Sequence, residues 1–199
     1  MKQKLTQEYL KECLTYDPGT GIFTWKERPI HHFKDGKKLK AYTICKRWNT
    51  RYSNKICNTF NTLGYGQVYI NSIHYYLHRL AFLYMEGYMP EHDVDHIDRN
   101  PSNNKWDNLR HVTHKCNMQN KKIQSNNKSG VVGVCYIKHN NKWFAQLQIN
   151  KTGISLGYYK NFDDAVMARY NEEQSNINWN CLIESSAEGY LKGKNIVKR

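Results

Sequence analysis

The sequence predicts a modular α+β protein, with a central strand–loop–strand–helix segment followed by a three-stranded antiparallel sheet packed on one helix. Three observations point there. "DVDHI" and "NLRHVT" are short β-prone runs split by the turn-rich "RNPSNN", and the helical "HKCNMQNKK" follows them. "VVGVCYIKH", "KWFAQLQIN" and "GISLGYY" read as three strands, because their separators, "NN" with polar flanks and "KTG", are hairpin turn signals. "NFDDAVMARYNEEQ" then places Phe162, Ala165, Val166 and Tyr170 on one face of a helix, with Asn161 as its N-cap and Asp163 and Asp164 suited to the dipole of its first turn.

The remaining elements are read in chain order. Leu5, Tyr9 and Cys13 recur every four residues, which predicts a short helix over Leu5 to Leu14. "YDPGTG" breaks it, and "IFTW" is a strand of aromatic and β-branched residues. Residues 26–60 are basic and weakly periodic, with "KDGKKLK" inside, and read as a long loop or arm. "GQVYI" and "IHYY" flank Asn71-Ser72 as a hairpin. Leu77, Leu80, Ala81 and Tyr84 then share a helix face that Gly87 ends. His78 and Arg79 on that helix are expected at a solvent or interface position. In "HKCNMQNKK", Thr113 is the expected cap. The predicted organisation is 1–60 as an N-terminal region with a basic arm and 61–123 as the central domain. A linker over 124–130, the sheet-plus-helix domain over 131–175 and a basic, partly frayed tail over 176–199 complete it.

Composition narrows the function. The chain has 199 residues, and its hydrophobic fraction of 39% includes 15 Tyr, so several small cores are expected in place of one large one. Lys plus Arg number 30 against 17 Asp plus Glu, a net charge of +13. That imbalance points to a polyanion as partner, with nucleic acid first. No apolar run approaches the roughly 20 residues that span a bilayer, and "MKQKLTQEYLKECL" has no signal-peptide apolar core. Cys13, Cys45, Cys57, Cys116, Cys135 and Cys181 form no Cys-x-x-Cys pair. A zinc ribbon is therefore unsupported, and a cytoplasmic location is the expectation.

The stretch "VDHIDRNPSNNKWDNLRHVTHKCNMQN" carries the chemistry. Hydrolysis of a phosphodiester needs a base active near neutral pH, which His supplies. It also needs a hard cation with oxygen ligands to stabilise charge on the phosphate and the departing oxygen. Asp95 and His96 place a carboxylate beside an imidazole. Neighbours on a regular strand point to opposite faces, so the pair shares a site only where the strand ends, and Asp98-Arg99-Asn100-Pro101 supplies that ending. Asn117 on the following helix could add an oxygen ligand, and Lys115 and Lys121 could meet the DNA backbone. An Asp-His pair or an Asn-rich loop also arises for turn reasons alone, so the residues by themselves leave the question open.

The order Asp-His, Asn-Asn, Asp-Asn-Leu-Arg, Val-Thr and a helical Asn resembles the HNH motif of the ββα-metal endonucleases, most closely the phage and intron-encoded homing enzymes. "YLHRLAFLYMEGYMPEHDVDHID" and "YDPGTGIFTWK" strengthen the resemblance. It implies His96 as general base, Asp95 and Asn117 as ligands of one divalent ion, and Asn108 as the residue that braces the hairpin and orients the base. Asn at the last position implies Mg2+ or Mn2+ in preference to zinc. His111 and His114 match no catalytic position and are taken as hairpin and helix-start residues. Asn100, Asn103 and Asn104 are taken to shape the loop, and Asn120 as a helix-surface residue.

The segment "SGVVGVCYIKHNNKWFAQLQINKTGISLGYYKNFDDAVMARYNE" resembles the ethylene-response-factor type (apetala-two-like) of DNA-binding domain. In that family the sheet enters the major groove. Strand parity turns Trp143, Ala145 and Leu147 to the helix side and Phe144, Gln146 and Gln148 to DNA, where glutamine can read adenine. Cys135 and Ile137 stand at outer positions where the plant domains carry arginines, so part of their base-reading set is missing. Lys138, Lys142 and Lys151 supply backbone contacts. The resemblance implies a metal-dependent endonuclease on duplex DNA, with neither a small-molecule cofactor nor a membrane partner, and a monomer is favoured. A DNA-binding regulator with a silent nuclease fold and an RNA-directed protein are the competing readings.

Overall fold

The computed structural model describes residues 4–120, 122–149, 152–176 and 184–197. The chain forms two compact units, Met1–His114 and Lys115–Arg199.

The first unit opens with α1 (Gln7–Cys13), whose cap Thr6 accepts a hydrogen bond from the Tyr9 amide at 3.3 Å. The chain turns directly into β1 (Leu14–Asp17), which pairs antiparallel with β2 (Ile22–Trp25). Between them the Asp17 carboxylate accepts from the Gly19 amide and the Thr20 hydroxyl at 2.9 and 2.7 Å, and Gly21 closes the turn at φ +76°. The next departure from expectation is α2 (Ala41–Tyr52), a helix inside the stretch read as a loop or arm. Ile44, Cys45, Trp48 and Tyr52 do fall at helical spacing, but Lys40, Lys46, Arg47 and Arg51 dilute the pattern. Trp48 meets Trp25 edge-on at 4.8 Å and lies under the guanidinium of the buried Arg28, so aromatic and cation–π contacts hold this helix.

β3 (Thr59–Phe60), β4 (Gly66–Ile70) and β5 (Ile73–Tyr76) form a small antiparallel sheet. The β4–β5 turn carries Asn71 and Ser72 at φ 51° and 63°, the two positive values a tight hairpin turn requires. α3 (Leu77–Glu86) follows and ends at Gly87, φ +81°. Leu80, Ala81 and Leu83 of α3 join Leu10, Leu14, Phe23, Ile70, Val94 and Leu109 in one core. β6 (Asp93–His96) and β7 (Leu109–Val112) form the last hairpin, with Asp95 opposite Arg110 and His96 opposite Leu109. α4 (His114–Gln119) comes next in the chain and carries on into the second unit.

The second unit has the predicted sheet order, β10 (Thr152–Tyr159), β9 (Lys142–Ile149) and β8 (Val134–Ile137), with α5 (Phe162–Ser175) against it. Ala145 and Leu147 are fully buried, whereas Gln146 and Gln148 are exposed, which is the predicted parity. Asn161 occupies the cap position of α5, but its amide reaches Asp164 at 3.1 Å and caps no backbone group. One face of α5 is less oily than its periodicity suggested: Arg169 and Glu173 are buried as an ion pair at 2.6 Å, and Arg169 also donates to the Gln146 carbonyl. The tail is not frayed throughout. α6 (Ser186–Gly193) adds Ala187 and Leu191 to the core, and its cap Ser185 accepts from the Glu188 amide at 3.1 Å. Ser185 and Glu188 form the Ser-x-x-Glu spacing of a helix start. Among the described residues no helix is long and apolar enough to cross a membrane.

Candidate active site

His96 closes β6 and is only 4% exposed. Its Nε2 stands 3.1 Å from Oδ1 of Asn104, itself buried. The Tyr65 and His78 rings pack on it at centroid distances of 5.9 and 5.2 Å. Burial lowers the His96 pKa, while the Asn104 hydrogen bond and the charges of Asp98 and Asp95 oppose that shift. The imidazole is thereby kept neutral near pH 7, the form that accepts a proton.

Asp95 precedes it and is 6% exposed. Arg110, its cross-strand partner, donates to Asp95 Oδ2 through Nε at 2.8 Å and Nη2 at 2.7 Å. A carboxylate supplies hard oxygen donors of the kind a divalent cation takes. With an Asn oxygen as a second donor the set would be all oxygen, which fits a hard ion such as Mg2+ or Mn2+.

Asn108 follows the loop and works on its backbone. Its Oδ1 accepts from the Asp98 amide at 3.0 Å, and its Nδ2 donates to Asp98 Oδ1 and the Asn103 carbonyl at 2.9 and 2.8 Å. Asp98 also accepts from the Asn100 amide and the Asn103 side chain. Burial would raise the Asp98 pKa, yet the hydrogen bonds from Asn103, Asn100 and Asn108 outweigh it and hold the group ionised. The loop is thus knotted around one carboxylate. Asn108 braces the hairpin, and the Asn104 side chain touches the His96 ring.

The other predicted positions are scattered. Asn117 and Lys115 lie on α4, both half-buried. Asn120 is buried, contrary to the surface position expected, and its amide bonds to the Cys116 carbonyl at 3.3 Å. Lys138, Lys142, Gln146 and Gln148 are exposed on the second unit, and Phe144 stacks on Tyr158 at 4.9 Å on the sheet face away from α5. Lys121 and Lys151 lie outside the described residues. His111 accepts from the His92 amide at 3.3 Å, and His114 meets Asp93 at 2.8 Å. His78, expected at a solvent or interface position, is buried beside His96, and Arg79 donates to the His92 and Pro90 carbonyls.

Four neighbours were not assigned to the site from the sequence: Tyr65, His78, Asn104 and Arg110. Only Arg110 had a readable signal, since pairing the two strands of a tight hairpin sets it opposite Asp95.

A second group of metal-ligand type stands elsewhere in the first unit. Glu12, His31 and His32 bring three ligand atoms within 4.8 Å of one another. His32 Nε2 is 2.6 Å from Glu12, but its Nδ1 faces Arg28 Nε at 3.2 Å, an obligatory donor. The proton therefore sits on Nε2, where it bonds Glu12. A metal there would force the proton to Nδ1 against Arg28, whereas metal-binding histidines give their other N–H to an acceptor. The group is arranged as a polar clamp.

Comparison with known proteins adds one finding. A family model described as HNH endonuclease matches residues 75–119, which cover α3, the β6–β7 hairpin and α4. No curated protein and no solved structure matches the chain. Residues 75–119 are thus similar to an HNH endonuclease domain, and His96 and Asp95 lie inside the matched segment, which suggests a nuclease that acts on DNA.

Proposed function

We propose that the protein is a divalent-metal-dependent endonuclease of the phage homing type that cuts duplex DNA, with the first unit carrying the chemistry and the second holding the duplex. The observation that carries the reading is His96, a buried imidazole beside Asp95 inside the matched segment, with a pKa that burial lowers. His96 takes the proton of a water molecule. The new P–O bond forms opposite the P–O3′ bond that breaks, and the departing O3′ takes a proton from solvent, leaving 5′-phosphate and 3′-hydroxyl ends. Asp95 would hold the ion, with Asn117 proposed as second ligand on the motif order alone. A bound Mg2+ or Mn2+ would supply charge stabilisation at the phosphate and the departing oxygen. Arg110 keeps the Asp95 carboxylate oriented, and Asn108 keeps the loop closed.

Binding is assigned to the second unit, as an apetala-two-like module. Phe144, Gln146 and Gln148 share a sheet face, Lys138 and Lys142 flank it, and the net charge of +13 supports a polyanionic partner. Lys115 would add a backbone contact. The test is supercoiled plasmid with Mg2+ or Mn2+, beside a His96→Ala control. Nicked or linear product with the wild type alone supports the reading. Intact plasmid with both proteins across many sequences would indicate a DNA-binding regulator, and cutting that survives His96→Ala refutes the assigned base.

A further inference from the structure

We infer that the N-terminal hairpin β1–β2 is a positioning device for the nuclease base: it fixes Asn104, and Asn104 in turn fixes which ring nitrogen of His96 carries the proton. The inference rests on His96 being the base.

The contacts form a chain. Tyr16 on β1 is buried, and its hydroxyl donates to the Asn104 carbonyl at 2.7 Å. The Trp106 amide donates to the Pro18 carbonyl at 3.0 Å, so the β1–β2 turn is tied to the same segment two residues on. Gly21, at the end of that turn, lies so close to the Asn104–Lys105 peptide that a Cβ there would overlap its backbone. Gly66 on β4 lies on the other side: a Cβ there would press on Leu77 and meet Asn104 Nδ2 at ordinary contact distance, 3.4 Å. Tyr16, Gly21 and the Trp106–Pro18 bond thus hold the Asn104 segment against the β1–β2 hairpin. Burial raises the Tyr16 pKa, so its hydroxyl stays a donor at any working pH.

The outcome is at His96. Asn104 Oδ1 is an acceptor, so the imidazole nitrogen facing it, Nε2, carries the proton. In that tautomer the ring's lone pair is on Nδ1. Asn104 and Tyr16 touch no reacting atom, so both are positioning residues. The β1–β2 turn thus packs on the loop that presents Asn104 to His96.

The test reads the tautomer directly, in the full chain. Two-bond 1H–15N spectra of histidine-labelled protein at pH 8 give the proton position on each ring, with the His96 signals assigned by their loss in His96→Ala. The wild type should show His96 protonated on Nε2. Asn104→Ala should give a mixture of tautomers, and kcat for plasmid cutting should fall about 10- to 100-fold with KM unchanged. Asn104→Asp, which still presents an acceptor, should restore the wild-type pattern. Tyr16→Phe should reproduce part of the Asn104→Ala effect on both readouts. Should Asn104→Ala not fold, Asn104→Asp and Tyr16→Phe carry the test. A wild-type His96 protonated on Nδ1 overturns the inference, as do tautomer and kcat values unchanged in both Asn104→Ala and Tyr16→Phe. Failure of the base assignment looks different: His96→Ala would cut while the tautomer results stood.

Discussion

Acid should loosen the first unit through a histidine that performs no chemistry. His78 sits on α3, 7% exposed, with its Nδ1 lacking a hydrogen-bond partner among the described residues. Burial first, then the nearby His96 and Arg79, bring its pKa down from 6.5 to about 3. The sign follows from proton counts. Between these values the unfolded chain binds a proton at this position and the folded chain does not, so the stabilisation is complete above pH 6.5 and shrinks as pH falls. At about 1.4 kcal/mol per pH unit, the loss reaches about 2 kcal/mol by pH 5. The perturbation is His78→Phe, which keeps a ring and removes the titration. Urea unfolding at pH 8 and pH 5, followed through the amide NMR signals of α3, should show the wild-type midpoint falling by about 1 M more than that of the variant. His96 is shifted in the same direction and remains in both proteins, so a residual acid sensitivity is expected in the variant. Equal midpoint shifts in the two proteins, or a His78 ring that titrates above pH 5, would refute the reasoning.

Other perturbations have equally direct readouts. Gly21→Ala meets both a positive φ and the Asn104–Lys105 backbone, and should cost about 2–4 kcal/mol in thermal or urea unfolding; an unchanged melting temperature would contradict the close approach. Arg169→Met breaks the buried pair with Glu173 and should destabilise the second unit by about 3 kcal/mol, whereas the double change with Glu173→Leu should recover much of the loss. Arg110→Gln leaves Asp95 without its fork and should lower the melting temperature, with Mn2+ restoring part of it; no effect of the ion would argue against Asp95 as a ligand. Phe144→Ala should weaken duplex binding about 10-fold in a mobility-shift assay at fixed salt, with plasmid nicking at high enzyme concentration retained.

Elements whose cues are local were legible in the sequence. Asn71-Ser72 announced its hairpin, Gly87 ended α3, and alternation along β9 sorted Ala145 and Leu147 from Gln146 and Gln148. α2 was hidden because its basic residues blurred an aromatic stripe, and α6 because a short helix in a charged tail has little periodicity apart from the Ser185–Glu188 start signal. In the candidate site, Asp95, His96 and Asn108 were picked out by their order. Asn104 was not, because nothing in an Asn-rich loop separates the amide that touches His96 from those that close turns. That distinction is made by tertiary packing, through Tyr16 and Gly21, and local propensity has no access to it.

The Tyr16–Asn104 hydrogen bond joins positions 88 residues apart, and this separation imposes an order on folding. The β1–β2 hairpin leaves the ribosome early and must wait for its partner loop, since long-range contacts of this kind form late. A nascent chain that already displays Tyr16 has no partner for its hydroxyl until residue 104 emerges. For the same reason residues 75–119, expressed alone, would carry the motif without its clamp, and should be a far poorer nuclease than the length of the matched segment suggests.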